Sequence, residues 1–218
     1  MLKIDNFTFG WDEKTLLENV SLELKPSDIV RLVGENGVGK TTLLHLIAGL
    51  IPHFSKGEIF RGDIYFNEKS VAKNPPRCFF PKIALIPSSH IELFLLNENL
   101  NQELIFTASI LKMTTAELGI RIESFSSFFT EINEIRNINF LNLSGRQKAL
   151  ALTAIYFIQG AELFLFDDVF SFLIKHEAGS WKKFIAYLAD QGKSVILIDN
   201  QTSINSKLWK MKNKTVLA

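Results

Sequence analysis

A chain of 218 residues, 47% hydrophobic and 22% charged, has material for one well-filled domain, or for one core carrying an inserted subdomain. Its net charge of +1 excludes a broad basic footprint, so nucleic acid is not an expected partner. Cys78 is the single cysteine, which excludes an internal disulfide and a multi-cysteine metal centre and fits a reducing cytosol.

The opening MLKIDNFTFG lacks the basic-then-apolar layout of a secretory leader. Residues 2–9 and 20–24 alternate apolar and polar, as half-buried antiparallel strands do. Residues 29–33 are apolar apart from Arg31 and run straight into a glycine-rich turn. Residues 43–50 read as a buried helix stopped near Gly49 and Pro52. Residues 57–66 read as a strand pair with Gly62-Asp63 as its turn, and 83–86 as a short buried strand after the Pro75, Pro76 and Pro81 loop.

From about His90 to Asn142 the texture changes. Leu100, Leu104, Ile105, Ala108 and Leu111 recur at helical spacing, and Thr114-x-x-Glu117 has the form of a capping box. Strand texture returns at 163–166 and 195–198, each after a helical stretch. The apolar stretch at 149–166 is broken by Gln159, Gly160 and Glu162, so it predicts no membrane span. The implied fold class is α/β: a parallel-sheet core over residues 1–87 and 144–218, interrupted by a helical insert over about 88–143.

Three motifs carry chemistry. Gly34-Glu35-Asn36-Gly37-Val38-Gly39-Lys40-Thr41 matches G-x-x-x-x-G-K-[ST] and lies between a buried strand and a helix, with Thr42 next in line. Its backbone N–H groups and the helix N-terminus suit phosphate, Lys40 reaches the β- and γ-phosphates of ATP, and the Thr41 hydroxyl ligates Mg2+. Leu163 to Phe166 ends in Asp167 and Asp168; a carboxylate on the strand neighbouring such a loop holds the magnesium shell, which suits Asp167, and the next one orients the attacking water. Leu143-Ser144-Gly145-Arg146-Gln147 follows the helical block and precedes the aspartate strand by one helix. A serine N-cap accounts for it as a local structure.

In this order, the motifs resemble those of ATP-binding-cassette ATPases, Ser144, Gly145 and Gln147 standing in their LSGGQ signature. The resemblance covers essentially the whole chain. It implies a P-loop core with an N-terminal antiparallel β subdomain around residues 16–24, and a signature that grips the γ-phosphate of ATP held by a second ATPase subunit, identical or different. Phe9 matches the position where an aromatic ring stacks on adenine, a core phenylalanine being the other reading. The stretch from Gly49 through Pro52, Gly57 and Gly62, with 94–106 after it, is similar to ATPase subunits of energy-coupling-factor importers. The family further implies an integral-membrane transporter subunit as partner, docked near residues 92–98, and a cytoplasmic position on the inner face of the cell membrane. A nucleotide-sensing subunit with negligible turnover and a soluble cassette protein are the other readings; a P-loop kinase needs neither the signature nor the insert.

The sequence also departs from that family. Ser88 stands for its glutamine after a core strand, Asp168 for its catalytic glutamate and Asn200 for its histidine, all belonging to the site on this chain's own P-loop. Asp168 is one methylene short, Asn200 cannot carry a proton as histidine does, and Ser88 reaches less far. Arg146 replaces the second signature glycine, and Ile174 an aspartate. The expectation is intact nucleotide binding with slow or partner-dependent hydrolysis. The histidines show no metal-ligand spacing, and Phe125, Phe128 and Phe129 suit helix packing or a face toward a membrane subunit.

Overall fold

The computed structural model describes residues 1–12, 14–54, 57–87, 97–172, 177–199 and 204–218. Strands β1 (Leu2–Trp11), β2 (Lys14–Leu24), β4 (Glu58–Phe66) and β5 (Lys69–Ser70) form a four-stranded antiparallel sheet in the order β2-β1-β4-β5. Strands β3 (Ile29–Val33), β6 (Ile83–Ile86), β7 (Leu163–Phe166), β8 (Ser194–Ile198), β9 (Lys207–Lys212) and β10 (Thr215–Leu217) form the second sheet, ordered β10-β9-β3-β8-β7-β6. Every pairing in it is parallel except that of β9 with β10. Helices are α1 (Lys40–Ile47), α2 (Leu100–Ile110), α3 (Thr115–Ser126), α4 (Ile132–Ile135), α5 (Gly145–Gln159) and α6 (Glu177–Asp190).

The central strands are buried on both faces, and their side chains sort by twos. Phe164, Phe166, Val195 and Leu197 join the core made with α5, α6 and the insert, whereas Leu163, Leu165, Ile196 and Ile198 join the core made with α1 and the antiparallel sheet. This is why 163–166 and 195–198 read as unbroken apolar runs.

Residues 57–66 form no hairpin. They make one strand, β4, and Gly62 sits opposite a bulge in β1, where the register jumps from Asp5↔Asp63 to Thr8↔Arg61. A side chain on Gly62 would meet the Asp5 carbonyl oxygen at 2.2 Å, and its φ of 74° suits glycine, so the residue signals close strand approach.

In the insert, Thr114 and Glu117 form the expected capping box. On α2, Leu100, Leu104 and Ala108 face the core, but Ile105 and, just past the helix end, Leu111 are exposed. Phe125, Phe128 and Phe129 pack in an aromatic cluster with Trp181, Phe184 and Tyr187 of α6, ring centroids lying 4.7–5.6 Å apart in the pairs Phe129–Trp181, Phe125–Phe184, Phe128–Phe184 and Phe128–Tyr187. They cement the insert to the core and are therefore packing residues. Among the described residues no helix is long and apolar enough to cross a membrane.

Candidate functional site

The parallel register brings the motif strands to one edge. Leu32 pairs with Ile198, Leu197 with Phe166, and Phe166 with Ile86, so the chain leaves β3, β8, β7 and β6 on the same side of the sheet. This is the edge at which open α/β sheets place ligands. Strand β8 lies between β3 and β7, so Asp167 comes from the strand next but one to the P-loop and not from its neighbour.

Residues 34–39 link β3 to α1 without a side chain capping the helix, which leaves its first N–H groups directed at the loop. Glycine at position 34 is forced by a close approach: a Cβ there would lie 2.6 Å from the Met211 carbonyl oxygen of β9. Lys40 is 8% exposed, and its Nζ donates to the carbonyls of Gly34 and Glu35, each at 2.8 Å. The ammonium thus lies across the cradle. Burial lowers its pKa, while Asp168 and Asp167 pull it back up.

At the start of α1, Thr41 Oγ1 donates to Asp167 Oδ1 at 2.9 Å, joining residues 126 positions apart. Asp167 is 6% exposed; burial raises its carboxyl pKa, and the Thr41 bond, His45 and Lys40 oppose that rise. Asp168 is exposed and adopts a φ of 54°. The left-handed turn aims it away from the buried strand, and aspartate is among the residues that accept such a conformation. Ser88 and Asn200 lie outside the described residues, as do Ile174 and most of the expected docking segment at 92–98.

Ser144 is the N-cap of α5 and makes a capping box with Gln147; Ser144 and Gly145 are exposed. Arg146 turns back into its own subunit, where Glu131 and Glu177 take its guanidinium. Its charge is therefore neutralised within the subunit.

Phe9 is not an adenine platform. Its ring is 0% exposed, packed edge-on against Trp11 at 5.1 Å and walled by Gly57, so neither face is open to a base. The partly exposed aromatic is Trp11, at the tip of β1. Leu16, on the strand paired with that tip, would lie 3.1 Å from a Cβ on Gly39, which ties the hairpin to the P-loop. The signal available in sequence was the alternation Phe7, Phe9, Trp11, whose last member abuts the turn.

A glycine-rich loop on a parallel strand, a lysine across it and a Thr–Asp pair at the helix start define a P-loop nucleotide-binding domain. The family model described as "ABC transporter" matches residues 17–171, and the chain belongs to that family. A putative ABC transporter ATP-binding protein of Treponema denticola is 25% identical over 203 residues; the match covers 92% of this chain but 41% of that protein, so this chain spans less than half its length. The energy-coupling factor transporter ATP-binding protein EcfA of Aster yellows witches'-broom phytoplasma is 26% identical over 207 residues, 95% of this chain and 73% of its own. The fold superposes on a solved ATP-binding subunit of an ABC transporter with a TM-score of 0.85 at 21% identity, over 100% of this chain and 88% of that one.

Proposed function

We propose that the chain is the ATP-binding and ATP-hydrolysing subunit of a membrane transporter, working on the cytoplasmic face. The observation that carries this reading is the pairing of Lys40 across the Gly34 and Glu35 carbonyls with the Thr41–Asp167 contact at the mouth of the same loop. Lys40 and the loop N–H groups bind the phosphates. Thr41 and Asp167 offer a hydroxyl and a carboxylate, hard oxygens that suit Mg2+, and they would hold it; bound there, the ion would offset phosphate charge. Asp168 orients water at the exposed mouth.

Trp11 takes the role of base platform. Stacking is worth about 1–3 kcal/mol per base, so Trp11→Ala should weaken MgATP binding about 10-fold. Titration calorimetry reads the loss, and unchanged affinity would return the platform to some other residue.

Closure on a second cassette subunit completes the reading. Ser88, Asp168 and Asn200 make this chain's own site slow, while Ser144, Gly145 and Gln147 complete the partner's site, so the assembly is a heterodimer with one fast site. The relative EcfA, an energy-coupling factor ATP-binding protein, supports a transporter context. The test is to isolate the tagged chain from membranes in detergent. A second cassette ATPase and an integral-membrane protein should be retained, and Ser144→Arg should cut the assembly's turnover by about 100-fold, the scale of losing a positioned transition-state donor. A chain recovered alone, or turnover indifferent to Ser144→Arg, would sink the proposal.

A further inference from the structure

The signature helix begins at a corner where three helix starts meet. Glu131 is the N-cap of α4, Arg146 lies in the first turn of α5 and Glu177 is the first residue of α6. Arg146 Nη1 and Nη2 donate to Glu131 Oε2 and Oε1, both at 2.7 Å, and Nη1 also meets Glu177 Oε1 at 2.6 Å. The three side chains are 30%, 27% and 15% exposed, so solvent screens the cluster only in part. They line one wall of a cavity of about 220 Å³ with Phe128, Phe129 and Trp181.

An arginine in the first turn of a helix opposes the helix dipole, whereas a carboxylate at a helix start is favoured by it. Arg146 is therefore misplaced on its own helix and is held there by two carboxylates, of which Glu177 is itself favoured by the start of α6. The planar guanidinium holds Glu131 by two parallel bonds, which fixes the carboxylate plane as a lysine would not.

Glu131 does more than pair. Its Oε1 also accepts from Gln147 Nε2 at 3.1 Å, and Gln147 Oε1 in turn accepts from the Ser144 N–H at 3.0 Å and the Ser144 hydroxyl at 3.1 Å. An unbroken chain of bonds thus runs from α6 through Glu177, Arg146, Glu131 and Gln147 to Ser144.

We propose that Glu131 is a positioning residue for the signature: clamped by Arg146 and Glu177, it fixes the Gln147 amide and so the direction of the Ser144 hydroxyl. This rests on the reading that the Ser144 end of α5 meets nucleotide held by a second subunit. In this chain, an arginine at the second signature position works as an internal latch and not as a phosphate ligand.

The experiment is a double-mutant cycle of Glu131→Gln and Arg146→Gly in the full chain, assembled with its cassette partner. Glu131→Gln should lower kcat about 10-fold with KM within about 2-fold, since charge-assisted bonds that act as a unit couple strongly. In the Arg146→Gly background the same change should cost about 2-fold or less, because the clamp is already open. The chain's own MgATP affinity should not move in any variant. Nitrogen-15 spectra of the arginine side chains provide a second readout: guanidinium rotation at Arg146 should be slow in the wild type and fast in Glu131→Gln. Equal losses in both backgrounds, or an Arg146 guanidinium that rotates as freely before as after the change, would overturn the latch. A wild type that fails to bind MgATP would instead overturn the ATPase reading, and the spectra would still judge the latch.

Discussion

Lys40→Ala should reduce MgATP affinity about 10- to 100-fold, because a charged hydrogen-bonding group contributes about 1.5–3 kcal/mol at its contacts. The fold should survive. Lys40 is largely buried, its charge is disfavoured by that burial, and its contacts are to two carbonyls of a solvent-facing loop. Calorimetric titration with ATP and with ADP checks the result, and the preference for ATP should shrink with the affinity. Equal binding by mutant and wild type would show that the cradle at 34–41 does not hold the γ-phosphate.

Asp168→Glu should raise turnover by up to about 100-fold, the scale on which a misplacement of about 1 Å costs rate. The extra methylene moves the carboxylate outward from an exposed position whose backbone has a φ of 54°. That conformation is less natural for glutamate than for aspartate, so the gain in rate should come with a loss of about 1 kcal/mol or less in stability. Phosphate release under saturating MgATP measures the first effect and denaturant unfolding the second. Brisk wild-type turnover that Asp168→Asn leaves intact would assign the water-orienting role to another carboxylate.

Much of this architecture was legible because single short segments encode it. The P-loop, the aspartate strand and the Thr114 capping box each combine local backbone geometry with residues a few positions apart, and each forms over the predicted residues, although the aspartate strand lies one place further from β3 than expected. The misreadings share a different cause. Gly62 looks like a turn glycine until the partner strand is seen bulging against it, and Phe9 looks available until Gly57 and Trp11 are seen to enclose it. What Arg146 does was not legible at all, because its partners, Glu131 and Glu177, come from other helices. Ile105 and Leu111 fit the helical period yet face solvent, since a period fixes which residues share a face but not how wide the buried stripe is.

The floor beneath the P-loop has a consequence for synthesis. Strand β3, which delivers the loop, is flanked by β8 and β9, and Met211 of β9 lies against Gly34. All of these contacts join residue positions separated by more than 160 in the chain. A nascent polypeptide that has already emerged through residue 41 therefore carries the entire phosphate-binding motif with no sheet neighbour for its strand. Closing so large a loop is slow, because its entropic cost comes before any contact repays it. The nucleotide pocket must consequently be among the last parts to acquire native form, and β3 stays an unpaired apolar edge until residues 194–212 arrive. During that interval the exposed strand is the point at which the half-made protein is most open to aggregation and to chaperone capture.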